Sequence, residues 1–98
     1  MGWVPIRYRD FYDVPRAFVA EHEGAKYFFD CPFDEALDEY PDRYRVYRLA
    51  LGANTEVQEA SWEGLAKEGV YLRDVPVRTI TFDPTRRASI DSAVLASF

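Results

Sequence analysis

Residues 16–22 (RAFVAEH) and 25–30 (AKYFFD) are rich in aromatic and β-branched side chains, and Glu23-Gly24 lies between them. Two such runs joined by a two-residue, glycine-containing turn predict a β-hairpin. The register follows. His22 faces Ala25, Glu21 faces Lys26, Ala20 faces Tyr27, Val19 faces Phe28 and Phe18 faces Phe29. Alternation then places Phe18, Ala20, Tyr27 and Phe29 on one face, and Val19, Phe28 and the Glu21–Lys26 pair on the other. Both faces carry apolar groups, so the hairpin is expected to be covered on both sides.

Further along, Phe33, Ala36, Leu37 and Tyr40 recur at helical spacing between Pro32 and Pro41. The pattern predicts a short helix of at most two turns, apolar on one face and acidic on the other. Residues 43–51 (RYRVYRLAL) read as a third strand, with Tyr44 and Val46 on one face and Arg43, Arg45 and Tyr47 on the opposite one. Thr55-Glu56-Val57-Gln58 has capping-box form, and Trp62 and Leu65 follow it, so a short helix before Gly69 is expected. Residues 70–73 and 77–82 read as strands separated by Asp74-Val75-Pro76, with a shift of apolar parity in the second that suggests a bulge. Ile90, Ala93, Val94 and Phe98 predict a terminal helix, started by Asp83-Pro84 or by Ser89.

About five short strands with little helix in 98 residues predict a mainly β fold. The expected form is a small, strongly bent sheet or barrel of the Src-homology-3 type, with short helical segments and a C-terminal helix. An α+β roll is the alternative, because both terminal segments and the middle could be helical. One domain, residues 1–98, is expected at this length.

Composition narrows the partners. A net charge of −5 disfavours binding to nucleic-acid phosphates and to anionic membrane surfaces. The longest stretches without a charged side chain, at 49–55 and 92–98, are far too short to cross a bilayer. The N-terminus has no signal-peptide apolar region. One cysteine cannot form an internal disulfide, which fits a reducing compartment, so a cytoplasmic location is expected. The charge is uneven: residues 30–42 contain six carboxylates and no Lys or Arg, whereas 73–87 are arginine-rich.

Candidate chemistry is sparse. His22 and Cys31 are each unique in the chain, but the hairpin register separates them by about 20 Å at the usual strand rise, too far for a catalytic dyad. Asp30 beside Cys31 would raise a thiol pKa rather than lower it. Asp34, Asp38 and Asp30 could approach a hard cation across a helix, yet no glycine-turned loop of oxygens accompanies them. No metal, cofactor or catalytic residue is therefore expected. Arg86-Arg87-Ala88-Ser89 matches a basophilic-kinase pattern, while Ser89 also explains itself as a helix N-cap.

The recognition candidates are Arg7, Tyr8, Arg9 and Tyr12, in a stretch mixing arginines with aromatic rings, together with Tyr47. Tyr47 is expected to be exposed and Tyr44 to lie in the core. The acidic segment adds Asp34, Glu35, Asp38 and Glu39 as a docking face for a basic partner. These features favour a small non-enzymatic protein-interaction module, an adaptor or accessory subunit that binds a protein or peptide. An acidic inhibitor or immunity-type protein neutralising a basic partner is the second reading. A small enzyme using paired carboxylates is the third.

Overall fold

In a computed structural model of the chain, residues 2–12, 14–49, 69–85 and 88–98 are described, with the main chain alone for 9–12 and 97. The architecture is mainly β. Six antiparallel strands form one sheet: β1 (Trp3–Tyr12), β2 (Val14–His22), β3 (Ala25–Asp30), β4 (Arg43–Leu49), β5 (Val70–Pro76) and β6 (Ser89–Asp91). Their order is β5-β4-β3-β2-β1-β6. The first five strands form a meander, and β6 returns to pair with Trp3, Val4 and Pro5 of β1.

The central hairpin has the expected register, from His22 opposite Ala25 to Phe18 opposite Phe29. Glu23 and Gly24 both take positive φ, 51° and 79°. That pair of conformations gives the turn whose twist matches that of the flanking strands. The rings of Phe18 and Phe29 stack with centroids 4.5 Å apart.

Alternation divides the side chains between two faces. The inner face gathers Val4, Ile6, Phe18, Ala20, Tyr27, Phe29, Tyr44, Val46 and Val75 with Ile80, Ile90 and Leu95 from the C-terminal segment. Tyr44 lies edge-on to Phe18 and Phe29, and its buried hydroxyl donates to the Pro15 carbonyl at 2.5 Å. On the outer face Ala17, Val19, Phe28 and Leu49 form a second buried cluster, with Tyr47 packed against it. The two-sided burial read from the hairpin is therefore present.

Four sequence expectations are corrected. First, of the expected bent sheet or barrel, the described residues form an open sheet and not a closed barrel. Its end strands are β5 and β6, and the C-terminal segment folds over the inner face instead of joining those ends. Second, residues 33–40 form a tight hairpin loop rather than a helix. The Asp34 amide donates to the Glu39 carbonyl at 2.9 Å, the Asp34 carboxylate accepts the amides of Ala36 and Leu37, and Asp38 turns the chain at φ 55°. Two turns between prolines are too few to offset helix nucleation, and Asp34 offers the backbone an alternative.

Third, no C-terminal helix forms. Ile90, fully buried, enters the core from β6, because β1 takes the backbone of residues 89–91 as a ladder partner. The turn at 92–94 and a 3-10 turn (Leu95–Ser97) then bring Leu95 and Phe98 inward. A strand followed by tight turns thus satisfies the same apolar spacing as a helix. Ser89 consequently sits in a strand, opposite Pro5, and caps no helix. Fourth, Asp74-Val75-Pro76 continues β5 rather than ending it, and Val77–Thr79 is a 3-10 turn. The parity change expected in 77–82 arises from that turn. A true register shift occurs elsewhere, between Val46 and Tyr47 against β5, leaving Leu72 without an opposite residue.

Among the described residues no α-helix is present, and none is long and apolar enough to cross a membrane. The helix expected within 55–68 and the pair Arg86-Arg87 lie outside the described residues.

Candidate recognition surface on the outer face

The outer face of β3, β4 and β5 carries two rows of side chains one step apart along the strands. Val46 and Tyr44 point inward, so alternation turns Arg43, Arg45 and Tyr47 outward together. Pairing then aligns them with neighbours: Phe28 opposite Tyr47 opposite Tyr71 in one row, Asp30 opposite Arg45 opposite Asp74 in the next. Ring centroids are 6.1 Å apart for Phe28–Tyr47 and 5.8 Å for Tyr47–Tyr71. The row runs from a fully buried ring through a half-buried one to Tyr71, which is 53% exposed. Tyr47 is thus part of the outer core cluster as well as its margin, rather than a freely exposed ring.

The charged row adjoins an open groove of about 350 Å³. The acidic loop supplies Phe33, Asp34 and Glu35 to its wall, and the strands supply Asp30, Arg43, Arg45 and Asp74. Phe33 packs edge-on to Tyr40, yet remains 45% exposed. Several polar groups here already serve the fold. The Asp74 carboxylate accepts the Tyr71 hydroxyl at 2.8 Å and lies 3.9 Å from Arg43. That hydrogen bond to the carboxylate is the first cause of the raised Tyr71 pKa. Arg43 also approaches Asp42 at 3.6 Å.

The sequence candidates separate in space. Asp34 and Glu35 share the groove with Arg43 and Arg45, so the acidic segment faces two guanidiniums across it. Asp38 and Glu39 are exposed on the loop beyond. Arg7 and Tyr8 lie on β1, three strands from β4, or about 14 Å at the usual spacing, and point to opposite faces of the sheet. Arg9 and Tyr12 are placed by main chain only, opposite Ala17 and Val14. Tyr71, Leu72 and Phe33 were missed. An apolar run of three (Val70-Tyr71-Leu72) bounded by Gly69 and Arg73-Asp74 was the available signal, since it fails the alternation of a half-buried strand.

Cys31 is buried, donating its thiol hydrogen to the Pro41 carbonyl at 3.2 Å, with the Arg16 guanidinium 3.7 Å from the sulfur. Arg16 in turn lies over the Tyr40 ring. Burial outweighs the Arg16 hydrogen bond and charge and pushes the thiol pKa up, so Cys31 is poorly suited to act as a nucleophile at neutral pH. His22 stands at the hairpin turn, 3.9 Å from the carboxylate of Glu23, whereas Cys31 follows the far end of β3. No group of three potential metal ligands converges among the described residues. Comparison of the chain with protein-family models, with curated proteins and with solved structures finds no match.

Proposed function

We propose that this chain is a non-enzymatic protein-interaction module, an adaptor or accessory subunit, that holds a protein or peptide segment on the outer face of β4 and β5. The observation that carries the reading is the pair of adjacent rows, one ending on exposed Tyr71 and the other, through Arg45 and Asp74, bordering the groove walled by Phe33 and Arg43. Tyrosine and arginine give much contact area and directed hydrogen bonding, and they dominate binding energy at interfaces. The tyrosine row is anchored on buried Phe28 and so preorganised, and little of its side-chain freedom is lost on association. A cytoplasmic setting accompanies the reading, supported by the single, unbridged cysteine.

The test uses a partner recovered with the wild-type chain and titrated by calorimetry. Tyr71→Ala and Arg45→Ala should each weaken binding by about 1–2 kcal/mol or more, whereas Trp3→Ala, on β1, should leave it unchanged. Equal affinity for all three variants would move the site off this face. The acidic-inhibitor reading retains one observation in its favour: Leu37 is 64% exposed at the loop tip, among Glu35, Asp38 and Glu39. Salt separates the two. Capture through that loop should weaken steeply from low to high ionic strength, and capture through the tyrosine row should change little.

A further inference from the structure

We propose that β5 is the interface of a two-fold symmetric homodimer in which the sheets of two copies join edge to edge. β5 stands at the end of the strand order, with β4 as its one neighbour among the described residues. Its Val70, Tyr71 and Leu72 are 67%, 53% and 37% exposed, an unusual run of apolar side chains for an edge strand.

The direction of its backbone groups follows from the ladder. The Val77 amide donates to the Asp42 carbonyl at 2.8 Å. Alternation from that bond turns residues 75 and 73 toward β4, and residues 76 and 74 away from it. The bond from the Cys31 amide to the Arg16 carbonyl, 2.7 Å, gives the same assignment when carried through β3 and β4. Past the bulge at Leu72, Tyr71 is the next residue turned outward. Pro76, which lacks an amide hydrogen, occupies an outward position, where none is needed.

Tyr71 and Asp74 therefore offer their amide and carbonyl groups at consecutive outward steps. A second copy related by a two-fold axis perpendicular to the sheet supplies an antiparallel strand, the sense of every pairing already in the sheet. It sets Tyr71 opposite the second copy's Asp74 and Asp74 opposite the second copy's Tyr71, so both outward pairs are satisfied at once. Tyr71 and Asp74 share the outer face, where the phenol already donates to this carboxylate within one chain. Val70 then lies opposite Val75 on the inner face, apolar against apolar. An open groove of about 470 Å³, lined by Arg73, Asp74 and Val75 with Thr79, Ala93 and Val94, leaves space beside the strand; residues from both faces of β5 border it, so it runs along the edge.

Assembly stops at two. The other end strand, β6, has three residues and is bridged at Ile90 by Phe82, with the Asp91 amide donating to the Thr81 carbonyl. Because the axis is perpendicular to the sheet, the outer faces of both copies lie on one side.

A pairing this short sits at the small end of specific interfaces, so concentration is the variable to scan. Sedimentation equilibrium of the full chain from about 5 to about 500 µM should show a shift from monomer to twice its mass. Amide exchange at Tyr71 and Asp74 should slow about tenfold or more over the same range. Leu72→Asp sets two carboxylates near the axis and should stay monomeric, with an unchanged circular dichroism spectrum; should it unfold, Val70→Lys makes the same test outside the bulge. Monomer at every concentration, larger oligomers, or a dimer that both variants still form would overturn the proposal.

Discussion

Tyr44 tests the inner core most sharply, because one atom separates it from phenylalanine. Its ring is fully buried and its hydroxyl donates to the carbonyl of Pro15, itself buried. Tyr44→Phe keeps the ring packing against Phe18 and Phe29 and removes only the donor, leaving a lone pair of a water-excluded carbonyl unmet. Such losses cost about 1–3 kcal/mol, a fall in Tm of roughly 4 °C or more for a domain of this size. The same phenol carries a pH signature. Burial is the first cause of its raised pKa, so the unfolded chain releases this proton before the folded one does. The contribution is fully present below the unfolded tyrosine pKa of about 10 and is lost as pH rises above it, at up to about 1.4 kcal/mol per pH unit. Urea titrations followed by far-ultraviolet circular dichroism, run on both proteins at pH 8, 10 and 11, measure the gap directly. It should be largest at pH 8 and shrink by pH 11, since only the wild type has this proton to lose. A gap below about 0.5 kcal/mol at pH 8, or one that does not change with pH, would refute the buried hydrogen bond.

Phe28→Ala should destabilise by about 3–5 kcal/mol in the same titration, and a loss below about 1 kcal/mol would mean that the outer face is not packed. Gly24→Ala should cost about 1–2 kcal/mol from backbone strain alone: φ is +79° and an added methyl would meet nothing within 4 Å. Unchanged stability would show a different turn. Thiol labelling of Cys31 at pH 7 should be slower in the native protein than in urea by on the order of a hundredfold or more, because the sulfur is buried and hydrogen-bonded; equal rates would place it at the surface. Asp34→Ala should loosen the 34–39 loop, read as faster exchange of the Ala36 and Leu37 amides with little change in global stability.

The hairpin from Arg16 to Cys31 was legible residue by residue. A two-residue turn fixes the register by itself, and a strand period of two then assigns every side chain to a face. The outward grouping of Arg43, Arg45 and Tyr47 was legible for the same reason. The segments that misled all contained apolar residues at a spacing compatible with two structures. Phe33, Ala36, Leu37 and Tyr40 fit a helix on paper, but Asp34 captured the amides that would have started it. Ile90 and Phe98 fit another, but β1 offered the backbone of residues 89–91 a ladder. β1 is harder to read from sequence, because Pro5 and the mixed charges of residues 7–10 interrupt its apolar pattern. The proposed recognition surface was half legible. Tyr47 and the acidic loop could be named, but Tyr71 joins Tyr47 only because β5 pairs with β4 across the twenty residues 50–69. Local sequence thus determined turns, periods and faces, which depend on neighbours in the chain. Strand order, the edge left at β5 and the groove that Phe33 shares with Arg43 and Arg45 depend on pairing between distant residues, and only the tertiary structure decided those.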